Sequence, residues 1–291
     1  MDGFIAEGHA VSVLTRSPEK LALQDNIAVY STDLAKPKQV VLTAFVKNLD
    51  LLYHLAGELS NPHSMQAVNV EGTRALLKQL DYSKTRFVYL SSIGIFDPLN
   101  KIFTENSPKA PLNTYEKSKL EAERALENEE KKGLKVVILR PSIVLGINMN
   151  SSLLDQLFFL IRLGIDLKLD EKVTAKVVLA DDLVRALILL GKSKNIDGKR
   201  YNFSNDLPLC TLLTQLKVAS NSRIIFSLSS RLFQFGLHLL RRLRILSISS
   251  EGVLFFSSES SVSSEKIINE LGFEFTKDYG PFLQEYVNFR S

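Results

Sequence analysis

Apolar and polar positions fall into alternating blocks along the first two-thirds of the chain. Short apolar runs at His9–Leu14 (HAVSVL), Ile27–Tyr30, Leu49–Leu55 (LDLLYHL), Arg86–Leu90 (RFVYL) and Leu134–Leu139 (LKVVIL) predict strands. Lys38–Lys47, Val68–Leu80 and the long, charged Tyr115–Lys132 predict helices between them. Ser17-Pro-Glu-Lys reads as a further helix start, with Ser17 as N-cap and Pro18 in the first turn. Met1–Glu7 reads as the last turns of a helix, with Gly8 as its C-cap. Apolar strands alternating with helices predict an α/β fold, a Rossmann-like doubly wound parallel sheet covered on both faces.

Beyond Gly146 the pattern loosens. It predicts a helix over Leu153–Leu163, a short strand at Lys176–Val178, a helix over Asp181–Leu190 capped by Asp181 or Asp182, and a strand at Arg200–Phe203. Two short helices follow within Ser264–Arg290. The division expected is a dinucleotide-binding domain over residues 1–147 and a smaller, mostly helical substrate lobe over 148–291. Lys176–Leu190 is expected to pack back on the first domain.

Composition narrows the class. The chain has 291 residues, 45% hydrophobic and 23% charged, which excludes a disordered or low-complexity protein. A single cysteine, Cys210, excludes an internal disulfide framework and fits a reducing compartment. The first residues lack a basic-then-apolar signal pattern and no long apolar run is free of charge, so the cytoplasm is expected and a membrane span is not. The net charge is +4, but Leu207–Ser250 holds six basic residues and no acid. That segment fits an anionic ligand or peripheral contact with a membrane surface. It lacks the aromatic interleaving that nucleic-acid binding needs. The histidines do not cluster with acids, so no metal is expected, and His54 is expected to be a packed strand residue.

Tyr115 and Lys119 in YEKSK stand four residues apart at a helix start, hence on one face. An ammonium beside a phenol lowers the phenol's pKa, and such a tyrosine can exchange a proton with a carbonyl or carbinol oxygen. The strand RFVYL ends in Ser91-Ser92, and LDLLYHL ends in Ala56-Gly57. Ligands of parallel sheets bind at such carboxyl ends. Arg16 follows the first strand, where a basic group accommodates the 2′-phosphate of NADP, so NADP is expected and NAD is the alternative.

These motifs come in a telling order: Thr32-Asp33-Leu34, Tyr53-His54-Leu55-Ala56-Gly57, Asn69-Val70-Glu71-Gly72-Thr73, Leu90-Ser91-Ser92-Ile93-Gly94, Tyr115-Glu116-Lys117-Ser118-Lys119, Leu139-Arg140-Pro141-Ser142-Ile143-Val144-Leu145-Gly146 and Val178-Leu179-Ala180-Asp181-Asp182-Leu183. In this the chain resembles the extended short-chain dehydrogenase/reductases of the NAD-dependent epimerase/dehydratase family, over nearly its whole length. The resemblance implies hydride transfer with a nicotinamide cofactor on a small-molecule substrate. It makes Tyr115 the general acid/base, and Lys119 the residue that tunes it and holds the nicotinamide ribose. Ser92 becomes the binder of the substrate hydroxyl. Asp33 and Leu34 would meet the adenine, Ala56 and Gly57 would line the cofactor, and Pro141, Ile143 and Val144 would flank the nicotinamide. Asn69 is expected to be structural. A homodimer through the Tyr115 helix and the helix before it is a further expectation from the family.

The sequence departs from the family's pattern in two places. No Gly-x-x-Gly-x-x-Gly turn precedes the first strand, so the strand, phosphate loop and half-helix that open the family are not found in it. A version supplied with them is expected to bind cofactor far more tightly and to be more stable. In the serine loop, Ile93 and Gly94 replace the acidic pair of the sugar dehydratases, which disfavours dehydration. The substrate expected is a nucleotide sugar, with Arg223 or Arg231 on its diphosphate. The alternatives are a hydrophobic alcohol or ketone, served by an amphipathic stretch of Phe233, Phe235, Leu239, Leu240 and Leu243 with Arg241, Arg242 and Arg244, and a non-catalytic binding protein that keeps the fold and has lost cofactor binding.

Overall fold

The computed structural model describes residues 4–5, 8–21, 27–147, 149, 152–229 and 259–290. Two compact units are formed, and the chain passes between them repeatedly. One comprises Met1–Ser91, Asn113–Ile138 and Lys194–Lys199; the other comprises Ser92–Leu112, Leu139–Ser193 and Arg200–Ser291.

The first unit opens on a helix end. Phe4 and Ile5 are helical, Gly8 takes φ 81°, its N–H donates to the Ile5 carbonyl and His9 N–H donates to the Phe4 carbonyl. This pair of bonds around a left-handed glycine is a Schellman stop, which the Gly8 cap predicted for the residues described there. β1 (Val11–Thr15) and β2 (Ile27–Ser31) form a parallel ladder from Val11–Ile27 to Thr15–Ser31. Between them, among the described residues, the predicted helix start takes the form of a 3-10 turn, Pro18–Lys20. Ser17 does not cap it with its side chain; instead its own N–H donates to Thr15 Oγ1. Then come α1 (Gln39–Val46) and β3 (Leu51–His54). A helical turn Pro62–Met65 and a π-helical stretch Gln66–Glu71 run into α2 (Gly72–Leu77). β4 (Arg86–Leu90) is parallel to β3, with Leu51 opposite Arg86 and His54 opposite Tyr89. α3 (Thr114–Glu130) leads to β5 (Lys135–Pro141), the other neighbour of β4.

One apolar core serves this unit. It joins Leu42 and Val46 of α1, Leu52 of β3, Leu76 and Leu77 of α2, Phe87 and Tyr89 of β4, Ala122 and Leu126 of α3, and Val136 and Ile138 of β5. Every residue of β1 is only half-buried. Among the described residues no ladder joins β1 to β3, so the strands stand as two parallel blocks, β1–β2 and β3–β4–β5.

In the second unit the end of β5 runs beside β9, and Ser142 N–H donates to the Phe203 carbonyl just beyond it. Its labelled elements are β6 (Ile143–Leu145), α4 (Ser152–Arg162), β7 (Ile165–Lys168), β8 (Val177–Leu179), α5 (Ala180–Lys192), β9 (Arg200–Phe203), α6 (Leu209–Ser220), β10 (Phe226–Ser229), α7 (Glu265–Leu271) and α8 (Gly280–Arg290). β6 pairs with β8 and β7 with β10, both in parallel. Its core gathers Leu157 and Phe158 of α4, Leu212 and Leu216 of α6, and Leu283 and Tyr286 of α8. Asp181 and Asp182 lie inside the first turn of α5 and do not cap it. The buried Asp182 instead accepts from the N–H and hydroxyl of Thr276, pinning the approach to α8.

Candidate active site

Tyr115 owes its place to the start of α3. Asn113 accepts from Glu116 N–H, Glu116 reaches back to Asn113 N–H, and this capping box fixes the turn that carries the phenol. Lys119 follows one turn later, is 3% exposed, and donates from Nζ to the Leu90 carbonyl at 2.8 Å, at the carboxyl end of β4. Its ammonium lies 4.9 Å from the centre of the Tyr89 ring and 5.8 Å from that of Tyr115.

The expected tuning of Tyr115 by Lys119 is corrected by this geometry. Burial, reinforced by Glu116, pushes the Tyr115 phenol up to about 12. Burial also brings the Lys119 ammonium down to about 8, against the upward pull of Glu123. The lysine is committed to a backbone carbonyl, and desolvation outweighs its attraction on the phenol.

The loop after β3 closes on the same place. Ala56 and Gly57 are exposed, and a Cβ at Gly57 would stand 3.4 Å from Lys119 Nζ. A Cβ there would reach contact distance from the ammonium, so the exposed backbone at Gly57 lies directly beside it. Asn69, buried in the π-helical stretch, holds the loop. Its Oδ1 accepts from Glu58 N–H at 2.7 Å, and its Nδ2 donates to the Glu58 carbonyl and to Ser118 Oγ. Ser118 in turn donates to the Tyr115 carbonyl. One side chain thus ties the loop to the turn that bears the phenol.

Arg16, at the end of β1, pairs with Glu58 at 3.6 Å, its side chain 65% exposed. Glu58 also accepts the N–H groups of Ser60 and Asn61, which hold its carboxyl below the usual range. Asp33 is exposed after β2 and accepts from Ala35 N–H. Leu34 packs on Gly72, where a Cβ would come within 2.8 Å of its own Cβ. His54 is the packed residue expected. Thr73 donates its hydroxyl to the Asn69 carbonyl and so takes a hydrogen from His54 Nε2 at 2.8 Å. Burial and the Lys119 charge lower His54 to about 3.

The other predicted residues belong to the second unit. Ser92 is half-buried and caps the 3-10 turn Ile93–Ile95, its Oγ accepting from Gly94 N–H. The neighbouring Ser91 Oγ is buried without a hydrogen-bond partner. Pro141 is buried at the end of β5, and Ile143 and Val144 are half-buried in β6. Arg223 is exposed beyond α6. Arg231 and the stretch containing Phe233 and Arg241 lie outside the described residues. Among the described residues no cluster of metal-ligating side chains occurs, and no helix is long and apolar enough to cross a membrane.

Sequence reasoning missed Glu58 and Glu123, and gave Asn69 no contacts. Glu58 and Arg16 are far apart in sequence, and neither lies in a periodic pattern that would join them.

The chain is 30% identical over 137 residues to human dTDP-D-glucose 4,6-dehydratase, which covers 44% of this chain and 39% of that protein. It is 34% identical over 88 residues to the rat methionine adenosyltransferase 2 subunit beta, covering 30% of this chain and 25% of that one. The chain therefore spans well under half the length of these relatives. Among solved structures, a putative epimerase from Burkholderia cenocepacia superposes with a TM-score of 0.75 at 21% identity, over 99% of this chain and 91% of that one. A UDP-glucose 4-epimerase from Thermotoga maritima, solved with UDP-glucose, gives 0.75 at 18% identity, over 99% and 93%. These likenesses fix the fold as that of the Rossmann-type short-chain dehydrogenases. The model of the NAD dependent epimerase/dehydratase family matches residues 1–203, and the chain belongs to that family.

Proposed function

We propose that the chain is an NAD(P)-dependent enzyme that transfers hydride at a carbinol or ketone carbon of a nucleotide sugar, as an epimerase or reductase. The carrying observation is the buried Lys119 ammonium, set between the Leu90 carbonyl and the open backbone at Gly57, one turn from Tyr115. A bound nicotinamide would take up or return the hydride. The chain's part is to place the reacting oxygen and handle its proton. With its phenol at about 12, Tyr115 holds a proton at neutral pH and is set to donate it to a carbonyl oxygen. Ala56, Gly57 and Lys119 would hold the cofactor, and Asp33 and Leu34 its adenine. Ser92 keeps the substrate-hydroxyl role that the family resemblance gives it.

The substrate class draws support from fold neighbours that act on nucleotide sugars. These are the UDP-glucose epimerase above and a UDP-glucuronic acid 4-epimerase from Bacillus cereus with NAD. A further neighbour, RMD from Pseudomonas aeruginosa, was solved in complex with NADPH. NADP is our preferred cofactor, through Arg16, with NAD second.

The test is calorimetric titration with both cofactors, followed by turnover on UDP- and dTDP-sugars. Tyr115→Phe is expected to abolish turnover with cofactor affinity nearly unchanged, and Lys119→Met to lose both. Substantial activity in Tyr115→Phe would overturn the acid/base assignment. The match to a protein named as a subunit of methionine adenosyltransferase favours a second reading, a non-catalytic binding protein. Failure to bind either cofactor, with no turnover on any sugar, would select it.

A further inference from the structure

The buried face of α3 carries two opposite charges. Lys119, Ala122, Glu123 and Leu126 follow the i, i+3, i+4, i+7 stripe, and all four are buried. Glu123 is 0% exposed, and Lys119 is 3% exposed. A carboxylate sealed from water is costly unless a positive charge or hydrogen bonds compensate it. The titratable groups around Lys119 are few. From β3 comes His54, kept neutral by burial. From β4 comes Tyr89, whose ring lies under the ammonium and whose phenol is pushed up by burial and by the Glu123 charge. On α3 itself stand Tyr115 and Glu123. Glu123 is the carboxylate among the charges that act on Lys119. The order matters too: on a helix surface the favoured arrangement puts Glu before Lys, and here Lys comes first. Helix stabilisation therefore does not explain the pair.

We propose that Glu123 is a positioning residue for the reaction: sealed one turn below Lys119, its carboxylate keeps that lysine protonated and fixed on the Leu90 carbonyl, beside Tyr115. The proposal rests on the active-site reading above for its catalytic consequence, though not for the charge coupling itself. Without the carboxylate, the ammonium would face only neutral groups and apolar side chains, and would shed its proton near neutral pH. Tyr115 would then lose the positive charge that favours release of its own proton.

The coupling can be measured without turnover. In protein labelled with nitrogen-15 at lysine, the Lys119 side-chain signal is identified by its loss in Lys119→Met and followed through a pH titration. The wild type is expected to titrate near 8. Glu123→Gln should lower the midpoint by at least about one unit, a tenfold weaker hold on the proton, and Glu123→Asp should recover part of it. An unchanged midpoint in a Glu123→Gln protein that melts like the wild type would overturn the proposal. Should Glu123→Gln fail to fold, the double variant Glu123→Gln/Lys119→Met is expected to regain stability over it, and a strictly additive loss would count against the coupling. In the cofactor-loaded enzyme, Glu123→Gln should shift the pH profile of kcat and leave the KM for substrate in place. A shifted titration with no turnover in the wild type would sink the enzymatic reading and leave the coupling intact. Turnover with an unshifted titration would do the reverse.

Discussion

Arg16 stands where the family resemblance places the choice between NADP and NAD, yet its guanidinium is engaged by Glu58. A carboxylate at that point satisfies the cation a 2′-phosphate would seek, and repels the phosphate itself. Glu58→Gln is therefore expected to improve NADP relative to NAD, and Arg16→Ala to weaken NADP more than NAD. An exposed contact of this kind is worth about 1 kcal/mol, or roughly fivefold in affinity. Calorimetric titrations of both cofactors on both variants decide the point. Equal changes for the two cofactors would leave Glu58 as a cap for the Ser60 and Asn61 amides alone. At this scale the sequence was partly legible. The spacing of Tyr115 and Lys119 announced one face of a helix, and the small residues after His54 announced a close approach. The direction of the Tyr115 shift was not legible, because neighbouring charges can be read from a sequence while desolvation cannot. Glu123 escaped for a related reason: YEKSKLEAE looks like a solvated surface, and the two charges in the stripe disguise its apolar period.

Among the elements, the strand that carries His54 makes the strongest statement about pH. The folded protein holds this imidazole neutral down to about 3, whereas the unfolded chain protonates it near 6.5. Between those values the unfolded state binds the extra proton, so stability falls as pH falls through that window. The full loss is on the order of 5 kcal/mol, complete only below about pH 3. His54→Gln keeps a donor for Thr73 and removes the titration. Its stability in urea should therefore decline less steeply than the wild type's from pH 6.5 downward, and parallel slopes would rule out His54 as the source. Long periodic elements such as α3 and β4 were read with nearly the right limits. The three-residue strand β6 is too short to show a period, whereas β8 lies one residue along from the strand expected at Lys176–Val178, and the π-helical stretch around Asn69 has no compositional sign. Its i→i+5 backbone bonds leave no mark on residue type.

At the scale of the molecule, among the described residues, the first unit's strands form two blocks that share an apolar core and no ladder. β1 and β2 reach that core through half-buried side chains such as Leu14, whereas β4 and β5 supply fully buried ones. Backbone hydrogen bonds that open together do so because breaking one exposes the next, and no such continuity runs from β1 to β3. The amides of β1 and β2 should thus exchange with deuterium through a partial opening of lower free energy than the one that frees β4 and β5. Native-state exchange in graded denaturant would show two families of amides, merging only where the whole unit unfolds. A single family would mean that side-chain packing around Leu42 and Val46, rather than the hydrogen-bonded ladders, sets the size of the cooperative unit. In the expected case the Arg16 end of the proposed nucleotide site can loosen while the Lys119 end stays closed, and a cofactor that touches both ends would raise the protection of β1 far more than that of β4.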